Sequence, residues 1–275
     1  MLRQRIITAV LLVAGLLVLL FLLPPAALQV AVAVVLAAAA WEWTYLCGLG
    51  RSAVAFWYPV AITVAGSLLT IQRLADWHAL VFTLALLWWL LAAGELLRYP
   101  RGADWLRRPA AGLVAGGLVL LPAWLAFHDI TGLPDAHFYL LWFIALVAAA
   151  DIGAYFAGRA FGRRKLAPQV SPNKTVEGFV GGMLATVVVA AAGAFWFAPA
   201  SLDTGKMPLI LLAAAVLAPL SVVGDLFESL LKRQQGLKDS SRLLPGHGGV
   251  MDRLDSLTAA LPFYALLLAM VVRHG

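Results

Sequence analysis

Charge is scarce in this 275-residue chain, and cysteine is nearly absent. Asp, Glu, Lys and Arg together make up 12% of it, against 63% apolar residues and a mean hydropathy of +0.90. Soluble domains run to roughly half apolar and about a quarter charged, so a water-soluble globule is excluded. The lone Cys47 rules out an internal disulfide and a thiolate metal cluster, and reads as a small apolar filler. No GxxxxGK[ST] string occurs, which excludes a P-loop. No internal repeat, low-complexity tract or soluble domain stands out.

What is there is a succession of apolar runs. About twenty such residues cross a ~30 Å hydrocarbon layer. That ruler gives nine spans, near 6–23, 26–46, 53–71, 78–97, 109–127, 137–157, 178–198, 207–224 and 256–272. The expected fold is therefore an all-α, polytopic membrane bundle with a cytoplasmic N-terminus. In that orientation only Arg73, Lys206 and Arg273 of the 20 basic residues lie outside, as positive-inside bias requires. The net charge of +6 is then a topology signal, and nucleic acid is not an expected partner. The first apolar run is longer than a signal peptide's core and is expected to be retained.

The chain reads as one membrane domain in two parts. Residues 1–136 look like scaffold, their Trp and Tyr residues forming interfacial belts. Glu42 and Glu95 lie near cytoplasmic ends of spans two and four, where they are expected at the interface, paired with an Arg, or touching substrate. The arginine-rich loop 98–108 suits anionic headgroups. Residues 137–275 are expected to hold the catalytic spans, with cytoplasmic loops 158–177 and 225–255.

In span six Asp151 falls at the inner edge of the membrane, where a charge is a functional hypothesis by default. Asp151, Tyr155 and Arg159 share one helical face, so either a structural Asp–Arg pair or a substrate site is open. The following loop carries five basic and no acidic residues from Gly158 to Thr175. Ser171, Lys174 and Thr175 precede Glu177-Gly178 at a helix start. Hydroxyls, backbone amides and a lysine there suit a polyphosphate.

Residues 225–255 concentrate five basic residues, five acidic residues and one histidine. If span eight continues as helix, Asp225, Ser229 and Lys232 share a face with Glu228 beside them. Asp252 and Asp255, at i and i+3, open span nine. Magnesium is usually held by one or two carboxylates plus substrate phosphates. Asp225 and Asp252 are the expected metal ligands, with Lys232, Arg233, Lys238 and Arg253 neutralising phosphates. Glycines 246, 248 and 249 around His247 let the backbone approach a ligand.

The pattern Ser229-x-x-Lys232-Arg233-x4-Lys238-Asp239-x-Ser241-x-x-Leu244-Pro245-x-His247-Gly248-Gly249-x-x-Asp252-Arg253-x-Asp255 resembles the signature of the phosphatidate cytidylyltransferase (CDP-diacylglycerol synthase) family. Ser171-Pro172-x-Lys174-Thr175-x-Glu177-Gly178 is similar to a second segment of that family. The likeness covers roughly residues 137–272; the N-terminal half matches in general character only. It implies the reaction CTP + phosphatidate → CDP-diacylglycerol + diphosphate, in phospholipid biosynthesis, with magnesium required. It makes Asp225 and Asp252 metal-binding aspartates and puts Lys232 at the substrate phosphates.

With Asp225, Lys232, Asp252 and His247 as catalytic candidates, the substrate-binding candidates are Ser171, Lys174, Thr175, Ser229, Arg233, Lys238, Asp239, Gly248, Gly249, Arg253, Asp255 and Asp151. His247 is expected to position a phosphate or ribose rather than remove a proton, because a phosphomonoester is already anionic near pH 7. The expected partners are CTP, phosphatidate and membrane lipids, with a homodimer allowed. The expected location is a bacterial inner membrane with the site facing the cytoplasm. Two other readings are another CTP-dependent lipid enzyme (a CDP-archaeol synthase or polyprenol kinase) and an ion-coupled transporter. The full signature disfavours the first, and the one-sided charge cluster disfavours the second. A CDP-alcohol phosphotransferase would need DGxxAR, which is missing.

Overall fold

The computed structural model describes residues 2–71 and 77–272, without the side chains of residues 2–6, 9 and 12. Arg73 and Arg273, expected on the outer face, lie outside the described residues. The order of helices is α1 (Leu2–Leu22), α2 (Pro25–Leu46), α3 (Val54–Leu69), α4 (His78–Arg98), α5 (Pro109–Thr131), α6 (Ala136–Phe161), α7 (Val176–Trp196), α8 (Met207–Gln234) and α9 (Met251–Val271). Pro25 and Pro109 open their helices, where a missing N–H costs nothing. Among the described residues, seven helices are long and apolar enough to cross a membrane. α3 has 16 residues, about 24 Å of rise, and falls short of that length.

Helix boundaries depart from the expected spans mainly at one end of the bundle. α8 continues past 224 to Gln234, and α9 starts at Met251 rather than 256. Hydropathy measures affinity for lipid, and these turns are held by protein instead. Leu226, Phe227, Leu230 and Leu231 are buried, and the Phe227 ring packs against Trp43 of α2 and Trp88 and Trp89 of α4. The all-α expectation needs one addition. β1 (Lys165–Ala167) and β2 (Ser171–Thr175) form an antiparallel hairpin between α6 and α7, with Lys165 opposite Thr175 and Ala167 opposite Ser171.

α6 and α7 meet along a seam of small residues. A methyl group on Gly178 would lie 2.8 Å from the Ala154 carbonyl oxygen, and one on Gly153 would lie 2.8 Å from that of Gly181. Close backbone approach of this kind is the usual way helices pack where lipid removes the hydrophobic drive. Polar contacts then pin the two ends of the bundle. At one end Gln234 donates to the Ala103 carbonyl (2.9 Å), Arg233 to that of Val170 (3.4 Å) and Thr8 to that of Pro245 (3.0 Å). The loops after α4, α6 and α8 thus gather together. At the other end Tyr139, Ser201 and Asp135 form a hydroxyl–carboxylate chain, and Lys206 donates to the Met270 carbonyl.

Candidate active site

The extended α8 sets Asp225, Glu228, Ser229 and Lys232 on one face, toward the start of α9. Gly224 makes this possible, since a methyl group there would strike the Asp255 carbonyl and lie 2.7 Å from Ala259 Cβ. Lys232, only 7% exposed, donates from Nζ to Glu228 Oε2 (2.5 Å) and to Asp252 Oδ1 (2.6 Å). One ammonium thus joins two nearly buried carboxylates across the helix pair. Removing one partner of such a group would leave an uncompensated buried charge. Glu228 Oε1 is buried and has no hydrogen-bond partner.

Asp252 is the more heavily held aspartate. Its Oδ2 accepts from Ser240 N (2.9 Å) and Gly249 N (2.7 Å), and Ser240 Oγ lies 3.0 Å away. The turn that delivers these donors needs glycine. Gly246 and Gly248 have φ of 77° and 84°, the left-handed region that side chains disfavour, and Leu244 N bonds back to the Gly248 carbonyl (2.8 Å). Asp225 is held more lightly. Its Oδ2 pairs with Lys174 of the hairpin (2.6 Å), and Ser229 Oγ approaches Oδ1 at 3.4 Å.

The remaining candidates separate into groups. Lys238, Asp239, Ser241, His247, Gly248 and Arg253 line an open cavity of about 690 Å³ formed by the loop before α9. His247 Nδ1 is buried there without a partner. A second cavity of about 490 Å³, between α6, α7 and α8, is lined by Asp151, Tyr155, Arg159, Asn173, Lys174 and Thr175. Arg159 donates to the Tyr155 hydroxyl (3.3 Å), so the Asp–Arg alternative for this helical face does not form. Asp151 instead lies within electrostatic reach of Asp225, Lys174 and Arg253, which makes the two cavities neighbours. Asp255 likewise senses Asp225, Lys232 and Lys174.

Some expected binders are occupied elsewhere. Arg233 is spent on the carbonyls of Val170 and Leu237. Thr175 caps α7, its hydroxyl accepting from Gly178 N (3.1 Å). Gly249 abuts Ser240 and Glu42 rather than either cavity, and Ser171 serves in the hairpin register. Glu95 holds the Ala103 amide, closing the turn after α4. Cys47 is buried, and burial pushes its thiol up to about 12, as befits a filler. Sequence reasoning gave no role to Glu228 or Ser240; the signal for Glu228 was its i, i+4 spacing to Lys232.

Among the described residues no three or more His, Cys, Asp or Glu gather into a metal-holding group. An all-protein cage is thereby ruled out for them. Asp225 keeps acceptor capacity for a hard cation of magnesium type, which binds one or two carboxylates and completes its shell with substrate phosphates and water; Asp252, engaged by Lys232, Ser240 and Gly249, could share that cation only by releasing one of these donors.

Residues 3–271 match the model of the "Cytidylyltransferase family". The chain belongs to the cytidylyltransferase family. It is 44% identical to the phosphatidate cytidylyltransferase of Pseudomonas aeruginosa, over 98% of this chain and 97% of that one. Identity to the phosphatidate cytidylyltransferase of Haemophilus influenzae is 40%, over 96% and 98%. That of Bacillus subtilis is 40% identical over 48% of each chain. The N-terminal half, which resembled the family only in general character, is therefore within the match.

Proposed function

We propose that this cytidylyltransferase joins CTP and phosphatidate into CDP-diacylglycerol, releasing diphosphate. Relatives of that activity over nearly the whole chain support the reaction. The observation that carries the assignment of its parts is the pair of neighbouring cavities with unlike walls. In our reading the open loop cavity takes CTP, with Lys238, Arg242 and Arg253 offsetting phosphate charge. His247 Nδ1, lacking a partner, is available to a phosphate or ribose oxygen. The cavity at Arg159 and Lys174 takes the phosphatidate headgroup. It shares Leu166, Phe179 and Val222 with an apolar groove beside α4, a path for the acyl chains.

The phosphatidate phosphate attacks the α-phosphorus of CTP as an oxygen nucleophile. One P–O bond forms, the α–β bridging P–O bond breaks, and its electron pair leaves with diphosphate. A phosphomonoester with a second pKa of about 6 is largely dianionic near pH 7, so no base is needed. The protein's task is to bring two polyanions together and stabilise the charge that moves. Lys174, which pairs with Asp225, and Arg253, which lines the loop cavity, are suited to it. Asp225 and Asp252 would hold magnesium, which when bound would offset charge on the CTP phosphates and the departing diphosphate. The basic end of the bundle would face the cytoplasm, where CTP is available.

Purified protein in detergent, given radiolabelled CTP, phosphatidate and magnesium, should yield a chloroform-soluble labelled product with one diphosphate released per turnover. No product from phosphatidate or any other acidic lipid overturns the reading. EDTA should stop the reaction and magnesium restore it; turnover unaffected by EDTA would refute the metal assignment.

A further inference from the structure

Glu42 of α2 is fully buried, yet it meets neither an arginine nor either cavity. Its carboxylate spans to the loop some two hundred positions away. Oε1 accepts from Ser241 Oγ (2.6 Å) and Val250 N (2.9 Å), and Oε2 from Ser240 Oγ (2.9 Å) and Met251 N (2.6 Å). A carboxylate offers about four lone-pair sites, so these four donors leave none for a ligand. Two of the donors are backbone amides at the start of α9, where a negative charge also suits the helix dipole.

The same loop is what aims Asp252. Ser240 Oγ lies 2.9 Å from Glu42 Oε2 and 3.0 Å from Asp252 Oδ2, while Ser240 N donates to Asp252 at 2.9 Å. At Gly249 the three groups converge. A methyl group there would lie 2.5 and 2.6 Å from the Glu42 oxygens and would strike Ser240 Oγ. Glu42, Ser240 and Asp252 are thus one contact chain from the N-terminal half of the molecule into the candidate site.

We propose that Glu42 is a positioning residue for cytidylyl transfer, fixing residues 240–252 so that Asp252, Arg253 and His247 face the nucleotide. This rests on the reaction proposed above. Outer partners of this kind typically change affinity or activity by about 10–100-fold when removed.

The test is Glu42→Gln, which puts an amide nitrogen that can only donate against at least one backbone N–H. The KM for CTP should rise about tenfold and kcat should fall, while the KM for phosphatidate stays within about twofold. Glu42→Asp should recover part of the loss. Ser240→Ala should shift the same parameters less, and the double variant should be no worse than Glu42→Gln alone, because both act through one chain. Unchanged KM values with merely less folded protein overturn the proposal, as do additive effects. Should Glu42→Gln not be recovered folded, Ser240→Ala decides: a selective rise in the KM for CTP supports the proposal and wild-type values refute it. Wild-type protein that makes no product fails the reaction instead. Trypsin cleavage after Arg242 then still reads the clamp. Faster cleavage in Glu42→Gln than in wild type supports it, and equal rates refute it.

Discussion

Asp225 and Asp252 reach the same end of the bundle from two antiparallel helices, but they are held very differently. Asp252 takes Lys232 on one oxygen and two backbone amides on the other, with the Ser240 hydroxyl beside it. Asp225 has one lysine and a distant serine hydroxyl. The first is built into the architecture of its loop. The second keeps acceptor capacity that a ligand can use. A carboxylate with spare lone pairs on a rigid helix can exchange partners as substrate arrives, whereas one that gathers backbone amides defines the shape of what surrounds it.

The largest effect is expected where both roles share one group. Lys232→Met leaves Glu228 and Asp252 buried without their cation, so activity should be lost. Stability in detergent should fall by about 3–5 kcal/mol, read as a lower melting temperature. Adding Glu228→Gln should restore part of the melting temperature and none of the turnover. Next come the aspartates themselves. Asp225→Asn should cut turnover at least about a hundredfold at an unchanged melting temperature. Asp252→Asn should lower both, because the amide nitrogen must face either the Lys232 ammonium or the Ser240 and Gly249 amides, all of them donors. Near-normal turnover of Asp225→Asn at limiting magnesium would end the comparison.

Smaller changes sharpen it. Gly248→Ala forces a side chain into a left-handed φ and within 2.6 Å of Asp252 Oδ2. We expect a stability cost of about 1–2 kcal/mol and a raised KM for CTP. Thr175→Val removes the cap of α7 behind Lys174 and should cost about 1 kcal/mol, with turnover nearly intact. If Gly248→Ala left the KM for CTP alone, the loop would not shape the nucleotide cavity.

Much of this was legible before any coordinates. The apolar runs announced their helices, and the clustering of basic residues announced which end would gather the charged loops. Asp225, Ser229 and Lys232 do share a helical face, as their spacing implied. Other features were not legible. Hydropathy ended α8 at 224 because it reads lipid affinity, and Phe227 is buried by three tryptophans rather than by lipid. The hairpin at 165–175 is too short and too polar to show a strand pattern. Arg233, chemically a good phosphate ligand, was drawn to two carbonyls that only the fold brings near.

By itself, then, the order of residues determined the membrane-embedded helical class, the charged end and the inventory of groups for phosphate chemistry. Those follow from local physics: the free energy of placing each side chain in hydrocarbon, and the 3.6-residue period. The tertiary structure alone decided which groups meet. Lys174 reaches Asp225 through a hairpin, and Glu42 in the second helix holds the loop before the ninth. No local rule encodes those pairings, because they depend on how the helices pack once each has formed.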